Sequence, residues 1–146
     1  MVSRRETRSR TLPLLRRYTD LTSAIDLLPR QRLTLLDPAS WDDKNDSYFI
    51  DHYRKRSAHK SVLALCLSTT GETYHHWKVF CGHASGVCIV FHRARLLEVI
   101  DAADGVRHGP VKYMRLEDIA AKAPALKRLP FVKRYAFRHE LEYRLI

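Results

Sequence analysis

Two carboxylates stand two residues apart in the closing segment E-L-E-Y-R-L-I, Glu140 and Glu142. In a strand, positions i and i+2 share a face, so the pair would sit side by side. Like charges at that distance raise one pKa, which suits a general acid or base. Arg138 and Arg144 alongside allow a plainer reading, a salt-bridged strand edge. A second group is Tyr74-His75-His76-Trp77, with Phe80 three positions after the tryptophan. These side chains could line a pocket floor, or Trp77 and Phe80 could pack as one helix face while the histidines meet water. The third group is Arg17-Tyr18-Thr19, a guanidinium beside two hydroxyls, suited to a phosphate or a ribose. Its plainer reading puts Tyr18 in the core. The fourth is Asp42-Asp43 with Asn45-Asp46 after Trp41. Clustered carboxylates hold hard cations, but the glycine and closing glutamate of a calcium loop are missing, and a capped turn reads better. Cys81-x-His83 with Cys88 matches a metal-ligand spacing only loosely, so no metal is expected. The chain has no P-loop, no glycine-rich dinucleotide fingerprint, no nucleophile elbow and no H-E-x-x-H.

The elements that must position these groups follow from the apolar pattern. Residues 12–19 read as a first strand, and a short helix follows with Leu21, Ile25 and Leu28 on one face, ending before Pro29. Residues 32–37 read as a second strand closed by Pro38. A turn-prone acidic loop leads into a helix over 46–57 with Phe49, Ile50 and Tyr53 as its apolar stripe. Residues 61–68 are apolar almost throughout, as in a central strand covered on both faces. Residues 87–91 form another strand, and 93–103 a helix with Leu96, Leu97 and Ile100 buried. Residues 106–114 read as an edge strand interrupted at Gly109-Pro110. A short helix over 116–123, a second from Pro124 to about Tyr135 and a closing strand complete the chain. Strands and helices interleave without βαβ spacing, so the fold class is α+β: one domain over residues 12–146 with a mixed sheet of five to six short strands, preceded by a flexible basic arm over 1–11.

Length and composition agree with a single core, since 146 residues with 45% hydrophobic and 29% charged content are ordinary for a globular domain. The net charge of +10 is not ordinary. Residues 1–17 carry six arginines against one glutamate, and residues 122–146 carry seven Lys/Arg against Glu140 and Glu142. Basic ends favour polyanions through counterion release, so a nucleic-acid-binding or interaction module without enzymatic activity is one expectation. Three cysteines without a C-x-x-C pair support neither a zinc ribbon nor a disulfide framework and point to a reducing compartment. Residues 12–15 are too short an apolar run for a signal peptide, and no run reaches transmembrane length, so a cytoplasmic protein with no membrane partner is expected.

Taken in order, R-Y-T, S-W-D-D-K-N-D, E-T-Y-H-H-W-K-V-F, G-V-C-I-V-F and H-E-L-E-Y-R-L-I resemble the bacterial domain-of-unknown-function family 2971 over residues 14–146. That layout is similar, more distantly, to the ADP-ribosyltransferase fold. The resemblance implies a nicotinamide adenine dinucleotide (NAD) or other nucleotide ligand, and a role in bacterial conflict with phage. Arg17, Tyr18 and Thr19 would meet the ligand from the first strand, His75, Trp77 and Phe80 from the middle, and Glu140 and Glu142 would be the late catalytic carboxylates. Where many members carry His-Tyr, this chain has Val79-Phe80, which implies ring stacking without a hydroxyl. Three further expectations follow. Glu142 faces Arg17 and Tyr18 across a cleft. His75 and Trp77 line a pocket, with His76 the more exposed of the adjacent pair. The closing strand leaves an uncovered edge or face that invites self-association.

Overall fold

A computed structural model describes residues 13–82 and 85–146; the expected arm over 1–11 and His83 lie outside the described residues. The chain is a mixed α+β domain. Its main sheet is built from β1 (Leu14–Asp20), β2 (Leu65–Ser68), β3 (Gly86–His92), β4 (His108–Pro110) and, at the end of the chain, β7 (Glu142–Leu145). These run antiparallel in the order β3-β1-β2-β7-β4. A second, parallel pair is formed by β5 (Lys112–Met114) and β6 (Val132–Arg134). The helices are α1 (Leu21–Arg30), α2 (Lys44–Arg56), α3 (Tyr74–His76), α4 (Arg93–Asp101) and α5 (Leu116–Ala121). No helix among the described residues is long and apolar enough to cross a membrane.

The period of two in β2 and β7 divides the sheet into unlike faces. Leu65 pairs with Leu145 and Leu67 with Tyr143, while Cys66 pairs with Arg144 and Ser68 with Glu142. The first set, with Leu15 of β1, packs against Ile100 of α4, and Leu96, Leu97 and Phe91 flank this core. The second set presents a carboxylate, a guanidinium, a thiol and a hydroxyl to the opposite face. Helix α2 and the segment around β6 cover that face, so ionic groups are buried where apolar ones are usual. Helix α2 begins where the Asp43 side chain accepts from the backbone N–H of Asn45 and Asp46, and Arg54, Lys55 and Arg56 oppose the dipole at its end. Ile50 and Tyr53 are buried on the expected stripe, and Asp46 is buried in line with them.

Four expectations are corrected. Residues 32–37 form no strand: only Leu36 bridges, to Ala64. Leu21, Ile25 and Leu28 are exposed, and α1 buries Ala24 instead, running past Pro29 to a left-handed Gln31 (φ 48°). The segment after Pro124 is not a second helix. A 3-10 turn at Leu126–Phe131 leads into β6, and another occupies Tyr135–Glu140. Pro130 removes a backbone donor, which suits short turns better than a continuous α-helix. The closing strand has no open edge, because β7 lies between β2 and β4 and Leu145 is only 1% exposed.

Candidate functional site: a cleft where the sheet splits

β1 pairs with β3 along all seven of its residues but with β2 only at Arg16 and Ser68. Continued antiparallel register would set Tyr18 opposite Cys66 and Asp20 opposite Ala64. Neither pair forms. Ala64 instead exchanges both backbone hydrogen bonds with Leu36, at 2.8 and 2.9 Å. The parting strands open a cleft of about 400 Å³. Because the sheet is interrupted there, both faces of β1 reach the opening, Arg17 and Thr19 from one and Tyr18 from the other. Trp41 and Asp43 border it from the loop before α2, Phe80 from a π-helical turn at Trp77–Cys81, and Phe137 and Glu140 from the last 3-10 turn. A small void of about 20 Å³ continues from it, lined by Tyr18, Cys66, His76, Phe80, Glu140 and Glu142.

Arg17 is the unusual member. It is 8% exposed, and its Nε and Nη1 are buried with no hydrogen-bond partner among the described residues. Burial pulls the guanidinium below its ordinary pKa range, and Cys66 and Asp20 oppose this only in part. An arginine keeps its charge in proteins, so Arg17 is a cation in want of an anion. The hydroxyl of Tyr18 is also buried without a partner, and burial pushes its pKa up to about 12, so it remains a neutral donor.

The carboxylates behind the cleft are held in a buried ionic network. Arg144 donates from Nη1 and Nη2 to the two oxygens of Asp46 (2.8 and 2.7 Å), from Nε to Glu142 Oε1 (2.6 Å) and from Nη1 to the Pro130 carbonyl (2.8 Å). Lys133 Nζ lies 2.7 Å from Glu140 Oε2, 3.4 Å from Glu142 Oε2 and 3.5 Å from Asp46 Oδ2. Both oxygens of Glu142 are thus engaged. Burial raises its pKa, but Arg144 and Lys133 outweigh that and hold the carboxyl down at about 2. Asp46 moves the other way, because burial outweighs Arg144 there. Glu142 therefore contributes stability that is present above its ordinary pKa of 4.5 and is lost as the pH falls toward 2. Asp46 has the opposite sign, its share being lost as the pH rises through its folded pKa. In an acid titration followed by circular dichroism, wild type is expected to lose stability between those two pH values, and Glu142→Gln to show a shallower dependence. Identical profiles would contradict the assignment.

His76 sets the position of Glu140. It is 1% exposed, with Nε2 at 3.0 Å from the Glu140 carbonyl and Nδ1 at 2.6 Å from Thr73 Oγ1. A carbonyl only accepts, so Nε2 carries the proton, and Nδ1 accepts from the threonine hydroxyl. This reverses the expected order of exposure, for His75 is the half-exposed member and His76 the buried one. His75 Nε2 lies 3.6 Å from Glu140 Oε1. Trp77 is half-buried, edge-on to Tyr18 at 5.2 Å, and its indole N–H donates to Glu72 at 2.9 Å. Neither His75 nor Trp77 borders the cleft or its void; Phe80 borders both.

Of the other residues singled out in the sequence, Arg17, Tyr18, Thr19 and Glu140 line the cleft, and Glu142 lines only the small void, together with Tyr18. Glu140 and Glu142 do not reach their neighbours as strand positions i and i+2. Glu140 closes a turn, and Leu141 is left-handed at φ 44°, so the alternation starts only at Glu142. Glu140 keeps Oε1 beyond hydrogen-bonding distance of any side chain among the described residues, with only His75 near it. Pattern reading missed Lys133 and Phe137, and it named His76, Asp46, Arg144 and Trp41 without the partners that topology gives them. The W-D-D loop was visible as a cluster, and Asp43 caps the start of helix α2 where a capped turn was expected. Compared with known proteins, the chain matches no family model, no curated protein and no solved structure.

Proposed function

We propose that the cleft binds a nucleotide of the NAD class and that the chain is an ADP-ribosyltransferase-like domain of the bacterial family its motifs resemble. The observation that carries this reading is the buried Arg17, without a partner among the described residues, in the wall of an aromatic-lined opening of ligand size. A guanidinium so placed takes a phosphate with two parallel N–H bonds, and the desolvation it already bears makes that contact strong. Phe80 and Trp41 offer faces for a base or a nicotinamide ring. NAD, when bound, supplies a sugar carbon that gains positive charge as its bond to nicotinamide breaks. Glu140, rather than Glu142, has a free oxygen to face that charge or a ribose hydroxyl, with His76 holding its backbone and Lys133 its other oxygen. Glu142 is spent on Arg144 and Lys133, so its role here is to hold the network.

The other reading, a nucleic-acid module using basic ends, has less support. Lys133 and Arg144 are buried in ion pairs, and Arg134 lies 3.4 Å from Asp43, so three cations of the basic carboxyl-terminal stretch are engaged, while Lys122, Lys127, Arg128 and Arg138 stay exposed. Thermal denaturation with saturating NAD, ADP-ribose or AMP is expected to raise Tm by about 5–10 °C, since occupancy at about 100 Kd adds roughly 2.7 kcal/mol. No shift with any of them, together with salt-sensitive binding to duplex DNA, would overturn the reading in favour of the module.

A further inference from the structure

We infer that Asp43 is a second recognition group of the cleft, accepting a hydrogen bond from a donor on the ligand whose anion meets Arg17. The inference deepens the nucleotide reading and rests on it. Asp43 splits its two oxygens between different tasks. Oδ1 accepts from the backbone N–H of Asn45 at 3.1 Å and of Asp46 at 3.5 Å, and lies 3.4 Å from Arg134 Nη2. Oδ2 is buried and has no partner among the described residues, on a side chain only 8% exposed. A helix cap requires only one carboxylate oxygen, so no contact among the described residues accounts for the second.

Arg17 poses the same question with the opposite sign. It too is nine-tenths buried and unpartnered, and both residues line the one cleft. Opposite charges that face a shared space are expected to pair if they can reach each other. These two do not pair: Arg17 belongs to β1 and Asp43 to the loop before α2, and no hydrogen bond or ion pair joins them. A buried carboxylate oxygen and a buried guanidinium left without partners each carry a desolvation cost. One molecule with an anion at one end and a neutral donor at the other relieves both. On a nucleotide the donor is either a ribose hydroxyl or an exocyclic amine. The chemistry at Asp43 is the same for both.

The test is calorimetric titration of the full chain with AMP, with its analogue lacking the exocyclic amine, with its 2′,3′-dideoxy analogue and with sulfate, an anion without donors. Asp43→Asn retains an oxygen for the helix cap and replaces the free acceptor with an N–H donor. It is expected to weaken AMP binding by at least about tenfold and to leave sulfate binding unchanged. One of the two analogues is expected to bind wild type more weakly by a similar factor, and to lose nothing further in Asp43→Asn. That analogue identifies the donor. Arg134→Gln, which removes the ion pair at Oδ1 and the guanidinium over the Phe137 ring but leaves Oδ2 untouched, is expected to bind AMP as wild type does.

Unchanged AMP affinity in Asp43→Asn, with binding still lost in Arg17→Met, would overturn the inference and leave the nucleotide reading standing. Should Asp43→Asn not fold, the analogue series on wild type decides, because equal binding of AMP and both analogues means that no donor is read. Wild type that binds sulfate but no nucleotide would remove both readings.

Discussion

Replacing Arg144 with leucine is expected to cost about 3–5 kcal/mol of folding stability, a large part of what a domain of this size possesses. The side chain is fully buried and serves four acceptors, both oxygens of Asp46, one of Glu142 and the Pro130 carbonyl. Without it, Asp46, Glu140 and Glu142 remain in the interior, with Lys133 as the one Lys or Arg paired with them among the described residues. Three carboxylates cannot all stay ionised around one ammonium, so the folded state must take up protons or admit water. Lysine is no rescue, because a single ammonium cannot span Asp46 and Glu142 as the planar fork does. Urea denaturation checks this. A loss below about 1 kcal/mol, the range of an exposed pair such as Arg30–Asp26, would mean that the network does not hold the sheet's polar face.

That network shows where sequence reading stops. Short apolar runs made β1 and β3 visible, and an amphipathic stripe made α2 and α4 visible, because burial leaves its mark on local composition. Asp46 and Arg144 are 98 positions apart, and each looks solvated by residue type. Their meeting depends on the β2–β7 register and on where α2 crosses the sheet, neither of which local composition encodes. Residues 32–37 carry a strand's composition, yet they supply one bridge that props Ala64 away from β1. The cleft exists because of that substitution of partners. Arg17, Tyr18 and Thr19 stood out by their types, and the structure brings all three to one cleft, whereas the partnerless state of Arg17 among the described residues was not legible. The order of His75 and His76 was misread because exposure there is decided by Thr73 and the Glu140 carbonyl, on opposite sides of the His76 ring.

Arg17→Met is expected to do two things at once. Methionine keeps much of the alkyl stem and removes the charge, so the unliganded domain is expected to gain stability, by about 1 kcal/mol or more, as the cost of a buried unpaired cation disappears. The same change is expected to abolish the rise in Tm produced by AMP or NAD, since the anion loses the cleft-wall cation that has no hydrogen-bond partner among the described residues. A residue kept for the core would show the reverse pattern, with a loss of stability on truncation and no effect on ligand. Stability held back at a binding site and released on substitution is the signature of a group preserved for function.

The most direct test of Arg17 as an anion receptor is therefore one pair of melting curves. Wild type and Arg17→Met are compared without ligand and with saturating AMP at fixed low salt. The expected result is a higher Tm for Arg17→Met in buffer and a ligand-induced rise of about 5–10 °C in wild type alone. A lower Tm for Arg17→Met in buffer, with equal rises for both proteins on adding AMP, would contradict it.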